Sequence, residues 1–230
     1  MSRLPVTFGL ITACVLVYLG VAALGVSPQY PWNAALVVQP PEVLYQGALI
    51  PELVARGEWW RLLSSIFLHS GFVHLALNML SLYYLGLFAE EAFGRGRFLA
   101  LYLISGIAGG IAYLYFGSFT GPVVGASGAI FGLLGGVFGF TLQRGTFSWQ
   151  NPIIRQLLVL TAINLYIGFS VRNISNTAHI GGLIGGLVFG NLMAPTLYSR
   201  KTLSSVAPVA LAFGLEALLL GLWLYLIRAV

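Results

Sequence analysis

Ser127 stands in Gly125-Ala126-Ser127-Gly128, and the run before it, Gly117 to Gly125, contains Pro122 and no charged residue. A serine hydroxyl is a weak nucleophile until a neighbouring base takes its proton. The chain has three histidines, His69, His74 and His179, and the last lies in Ala178-His179-Ile180-Gly181-Gly182. A neutral imidazole can accept the serine proton and later return it to a leaving amine. All six acidic residues are glutamates, and none lies within a few residues of His179. A Ser-His-Asp triad therefore cannot be built from this chain, and a serine hydrolase made from it would run on a Ser127–His179 dyad. His74 and Asn78 are one helical turn apart and share a helix face. Both side chains donate hydrogen bonds, and donors aimed at one point suit a developing oxyanion, at ~3 kcal/mol each in the transition state.

Each of these residues also has a plainer reading. Ser127 could be a helix N-cap, His179 a histidine at a water interface, and His74 with Asn78 a source of interhelical hydrogen bonds. His69, beside Ser70 and Gly71, is read as structural. Three histidines are enough for zinc, but there is no H-E-x-x-H, and the partner at i, i+4 from His74 is an asparagine, a poor zinc ligand. No metal and no cofactor is expected. Cys14 is the single cysteine and sits in an apolar run, as a small hydrophobe would.

The elements that must position these groups are membrane spans. Of 230 residues, 58% are hydrophobic and 7% charged, against about a quarter charged in a soluble domain. The net charge of +5 does not point to nucleic acid, because the basic residues stand singly or in pairs rather than clustered among stacking aromatics. A span needs ~20 apolar residues. Seven apolar segments are predicted, over residues 6–26, 72–89, 98–116, 126–142, 153–169, 178–194 and 206–227. Between the first two lies a long polar and aromatic stretch with Pro28, Pro40, Pro41, Pro51 and the Trp59-Trp60 pair, whose rings suit a membrane interface.

With the N-terminus cytoplasmic, the inner side would hold Arg3, Arg95, Arg97, Arg144, Arg155, Arg200 and Lys201, and the outer side Arg56, Arg61, Arg172 and Arg228. Basic residues collect on the cytoplasmic side, so this orientation is expected, with Ser127 and His179 toward the extracytoplasmic face. The first run is long enough to be retained as a helix, and no presequence rich in Arg and Ser precedes it; both features fit a multi-pass protein of a prokaryotic plasma membrane. No repeat or soluble domain is visible. The expected organisation is all-α, one membrane domain over 1–230, with a core over 1–196 and an additional C-terminal helix over 206–228.

Glycine, at 29 residues, recurs every four positions in two segments: Gly128, Gly132 and Gly136, then Gly182, Gly186 and Gly190. That spacing makes a bare helix face on which two backbones can approach closely. One run starts beside Ser127 and the other just after His179, so packing the two faces together would join serine and histidine. Glu216, in the middle of the seventh segment, is costly there as a charge and has no catalytic role in this reading.

Trp60-Arg61, His69, His74-x-x-x-Asn78, Gly125-Ala126-Ser127-Gly128 and Ala178-His179-x-x-Gly182-x-x-x-Gly186, in that order, together resemble the rhomboid family of intramembrane serine proteases. The resemblance spans roughly segments two to six. It implies Ser127 as nucleophile, His179 as general base, and an oxyanion site from the His74 and Asn78 side chains and the Ser127 backbone N–H. Gly125, Gly128, Gly182 and Phe131 would support them. It implies a rhomboid-type bundle of seven transmembrane helices, six plus one, with a membrane-associated first loop. The partners implied are the lipid bilayer and single-pass membrane protein substrates, cut near the extracytoplasmic face. One position departs from the pattern. Many members carry tyrosine four residues after the serine, and this chain carries Phe131, which keeps a ring for His179 and loses the hydroxyl. Two rivals are a transporter, disfavoured because no matching pair of broken helices is visible in two halves, and a catalytically dead relative, which would lack the serine or the histidine.

Overall fold

A backbone in lipid must satisfy its hydrogen bonds within itself, and every predicted apolar run is a helix. The structure, a computed structural model, describes residues 5–25, 31, 34, 38–117, 121–170, 174–193 and 203–228. Its helices are α1 (Pro5–Leu24), α2 (Pro41–Gly47), α3 (Pro51–Ala55), α4 (Arg61–Ser64), α5 (Phe72–Phe93), α6 (Arg95–Phe116), α7 (Ser127–Gln143), α8 (Pro152–Ser170), α9 (Asn176–Met193) and α10 (Leu203–Arg228). Val26, Ala194, Pro28, Arg3, Arg172, Arg200 and Lys201, which entered the sequence reading, lie outside the described residues. The molecule is a polytopic helical bundle. Among the described residues four helices, α1, α5, α6 and residues 206–228 of α10, are long and apolar enough by length and composition to cross a membrane. The shorter α7 is enclosed by protein: every residue from Gly128 to Gly139 is buried, so its sides meet other helices rather than lipid.

The two glycine faces meet. A methyl group added at Gly182 would strike the backbone of Gly128, one at Gly186 that of Gly132, and one at Gly190 that of Gly136. The order of the pairs makes α7 and α9 parallel neighbours, with α8 returning the chain between them. α6 completes the centre: Ser105 lies on Gly132, Leu101 on Gly136, and Gly109 against the Ala178 carbonyl.

α1 is fastened differently. The Glu90 carboxylate, near the end of α5, accepts from the Val6 and Thr7 amides at 3.2 and 2.7 Å and from the Thr7 hydroxyl at 2.7 Å. The first amides of a helix have no intrahelical partner, and an anion there meets the positive end of the dipole. This buried contact explains why α5 continues to Phe93, past the predicted end at residue 89. It also sets the start of α1 and the end of α5 at one end of the bundle.

α10 packs on α6 and α9. Glu216 is on its inward face, with both carboxyl oxygens enclosed and without a hydrogen bond among the described residues.

Two outcomes are expected in thermal unfolding of the detergent-purified protein. Gly186→Ala should lower the midpoint, by an overpacking cost of about 1–3 kcal/mol, whereas Gly214→Ala, where an added methyl meets nothing within 4 Å, should not. Glu216→Leu should raise it, because an enclosed, unpaired polar group costs about 1–3 kcal/mol; a lowered midpoint would mean that the carboxyl has a partner.

Candidate active site

The run that delivers Ser127 is stitched to the first loop. Leu49 and Val123 exchange backbone hydrogen bonds at 2.9 and 3.0 Å, and the Gly125 amide donates to the Ser65 carbonyl at 2.9 Å. The loop is itself clamped by a buried guanidinium. Arg61 donates to the Tyr45 and Ala48 carbonyls at 2.7 and 2.8 Å and to Glu58 at 2.7 Å. It also lies over the Trp60 ring at 4.7 Å. Trp59 and Trp60 are themselves about half exposed.

Gly125 has φ +129°, a conformation that side chains rarely allow. The chain then turns through Ala126 and enters α7 with Ser127 as its first residue; no side-chain cap closes this helix. The serine hydroxyl is therefore not spent as an N-cap.

His179 sits one turn inside α9 rather than at its start. The helix begins at Asn176 because Ser175 caps it: its hydroxyl accepts from the Ala178 amide at 3.2 Å and its carbonyl from the His179 amide at 3.1 Å. A serine just ahead of an apolar run is the sequence signal for this boundary.

These two helix starts bring Ser127 and His179 together. Ser127 Oγ and His179 Nε2 are 2.7 Å apart, the spacing at which a hydroxyl donates to a neutral imidazole. The Phe131 ring stacks under His179, with centroids 4.4 Å apart and planes at 11°. No hydrogen-bond partner reaches His179 Nδ1 among the described residues, so no carboxylate stands behind the imidazole there.

His74, in the first turn of α5, faces the same place. Its Nδ1 is 3.1 Å from the Ser70 hydroxyl, which holds the ring. An added methyl at Gly125 would sit 2.8 Å from His74 Nε2 and 3.8 Å from Ser127 Oγ, so the bare Gly125 lets the imidazole edge and the hydroxyl share one small space. The Asn78 amide is buried and donates to the His74 carbonyl at 2.9 Å; an amide nitrogen carries a second hydrogen.

His69 lies apart from this space. It is 1% exposed, and its ring meets that of His74 edge-on at 5.1 Å. Burial, helped by His74 and opposed by the Phe67 backbone, pushes its imidazole down to about 3, so it stays neutral and packs as core. Ser70, Ser65 and Ser175 were not singled out in the sequence. Their contribution is through hydrogen bonds that depend on the fold, although the Ser175 cap was readable. Among the described residues no group of three His, Cys, Asp or Glu side chains could hold a metal ion.

Known proteins are similar to this chain over most of its length. The family model for the Rhomboid domain matches residues 56–196, more than half of the chain. The Rhomboid protease GluP of Bacillus subtilis (strain 168) is 44% identical over 171 residues, 73% of this chain and 33% of that protein. In Arabidopsis thaliana, RHOMBOID-like protein 5 is 41% identical over 161 residues, 69% of this chain and 52% of that protein. RHOMBOID-like protein 4 is 40% identical over 146 residues, 63% and 36%. The chain thus spans between a third and about half of the length of these relatives.

Gly125→Ala is expected to cost activity more than stability. The substitution strains the backbone and displaces the His74 ring, so if this site hydrolyses peptides with His74 as an oxyanion donor, hydrolysis per folded molecule should fall by about 100-fold, the scale for loss of one such donor. Unchanged turnover in folded Gly125→Ala would remove His74 from the reacting space.

Proposed function

The chain belongs to the rhomboid family, and on that premise we propose that it is an intramembrane serine endopeptidase working by a Ser127–His179 dyad. One observation carries the reading: a serine hydroxyl that caps nothing lies 2.7 Å from the Nε2 of a buried, ring-stacked histidine. Two polar side chains from different membrane helices are costly to enclose, and here each has the other as its partner.

The reaction is acyl transfer. His179 Nε2 takes the Ser127 proton as Oγ attacks a peptide carbonyl carbon. The carbonyl oxygen, now an oxyanion, is received by the Ser127 backbone N–H and by His74 and Asn78. Ser127 opens α7, so its amide is among those without an intrahelical acceptor, and the helix dipole favours negative charge there. His74 needs its Nε2 hydrogen for this role, a tautomer compatible with Nδ1 accepting from Ser70. His179 then gives its proton to the departing amine. In the second half-reaction water, deprotonated by His179, attacks the acyl ester; the acid is released and Ser127 regains its proton.

The substrate must present a peptide carbonyl to this site from within or beside a membrane helix. The scissile carbonyl must leave its helix, because a helix ties carbonyls up in i→i−4 bonds. Weak helix formers near the cut would ease this, and the substrates proposed, as the family resemblance implies, are single-pass membrane proteins. The dyad is at the end of the bundle that holds the first loop, opposite the Glu90–Thr7 contact. Among the described basic residues, Arg95, Arg97, Arg144 and Arg155 belong to the Glu90 end and Arg56, Arg61 and Arg228 to the dyad end. This supports a cytoplasmic N-terminus and an extracytoplasmic site; the membrane proposed is the plasma membrane of a prokaryote. The chain is proposed to be a single domain, with its core over 1–196 and the last helix over 206–228.

A fluorophosphonate probe on the detergent-purified protein tests the mechanism. The wild type should label on Ser127 and cleave a transmembrane substrate. Ser127→Ala and His179→Ala should fold and each lose at least about 1000-fold in product formation. Cleavage that survives Ser127→Ala intact would overturn Ser127 as the nucleophile, transport that survives it without any cleavage by the wild type would replace the protease reading with a transporter, and a wild type that neither labels nor cleaves would replace it with a binding relative.

A further inference from the structure

The matched Rhomboid domain ends at residue 196 and α10 begins at Leu203, so the last helix lies outside the matched domain. Its inward face nonetheless reaches the active-site end of the bundle. Trp223 is 5% exposed, and its indole N–H donates to the Leu114 carbonyl at 2.8 Å. One turn earlier, the Leu219 carbonyl accepts from the Tyr115 hydroxyl at 2.7 Å. Leu114 and Tyr115 are both in the last turn of α6, where carbonyls have no intrahelical donor; α10 supplies one and accepts another.

That end of α6 is the surface against which the His179 turn of α9 is seated. An added methyl at Gly109 would sit 2.6 Å from the Ala178 carbonyl, and one at Gly181 would strike Ala112, so α6 touches the backbone on both sides of His179. Trp223 belongs to the same buried apolar cluster as Ala178 and Leu49. Ala178 precedes His179, and Leu49 holds Val123 on the path to Ser127. One side chain of α10 thus sits in the cluster that supports both members of the dyad. The contacts from α6 through α9 to α7 are made largely by glycine on backbone, without flexible side chains to absorb a shift. A displacement of the α6 end is passed on to the imidazole.

We propose that Trp223 is a positioning residue for the reacting pair, and that α10 is a brace holding His179 at bonding distance from Ser127. This rests on the serine protease reading above.

The test uses the full chain in detergent, with Trp223→Phe, which keeps a ring and loses the N–H bond, Trp223→Ala, which loses both, and Leu218→Ala on the exposed face of α10 as control. Two measurements are made per labelable molecule: the rate of fluorophosphonate labelling, and the steady-state kinetics (kcat and KM) on a transmembrane substrate. Trp223→Ala should lower the labelling rate and kcat by about tenfold, and Trp223→Phe by about threefold, with KM within about twofold of wild type, as expected for a small misplacement of reacting groups. Leu218→Ala should match wild type. A purely structural role would reduce the number of labelable molecules and leave the rate of each unchanged; that result overturns the proposal. If Trp223→Ala does not fold, Trp223→Phe decides on the same two measurements. Failure of the wild type to label at Ser127 would overturn the protease reading and this inference with it, whereas wild-type labelling with unaltered Trp223 variants overturns this inference alone.

Discussion

The close contact of α7 and α9 is the constraint on which the site depends. In lipid the hydrophobic effect does not draw helices together, because the tails are as apolar as the side chains, and close van der Waals packing and hydrogen bonds must hold them instead. Here the contact is backbone on backbone, Gly182 on Gly128, Gly186 on Gly132 and Gly190 on Gly136. A parallel pair locked at three successive turns has little freedom to slide or roll. Its register brings the start of α7 beside the first turn of α9, and Ser127 and His179 are the residues at those places.

Around that pair the fold settles its polar groups one by one. Glu90 closes the free amides of α1, Arg61 gathers two carbonyls and Glu58, and Ser175 caps the helix that carries the histidine. Each contact enables the next. The Arg61 clamp fixes the first loop, the loop holds Val123 and Gly125, and the positive φ at Gly125 turns the chain so that Ser127 enters α7 with its hydroxyl caught by no helix cap and turned to His179. Glu216 stands outside this order, since its enclosed oxygens have no hydrogen bond among the described residues.

Much of this was legible in the chain. Composition excluded a soluble domain, and the apolar runs became the long helices. The ordered motif from Trp60 to Gly186 led to the rhomboid family, which the match over residues 56–196 establishes. Boundaries were less secure, for local reasons. α5 runs beyond residue 89 because Glu90 turns inward to another helix, which hydropathy reads only as a charge ending a span. α9 begins before Ala178 because Asn176 and Thr177 are polar yet helical behind a serine cap. The short helices α2, α3 and α4 within the first loop have too few residues for periodicity to reveal them.

What the sequence determined by itself was the list of parts: a serine and a histidine each beside a four-residue glycine repeat, no aspartate, and spans enough to enclose them. Those facts follow from side-chain chemistry and helical period, which act within a few residues. The tertiary structure alone decided that the two glycine faces meet each other, that the Asn78 amide is turned to the His74 carbonyl, and that Trp223 of the last helix reaches the end of α6. Such choices depend on which surfaces fit at atomic contact between segments far apart in the chain, and spacing along a sequence carries no measure of that fit.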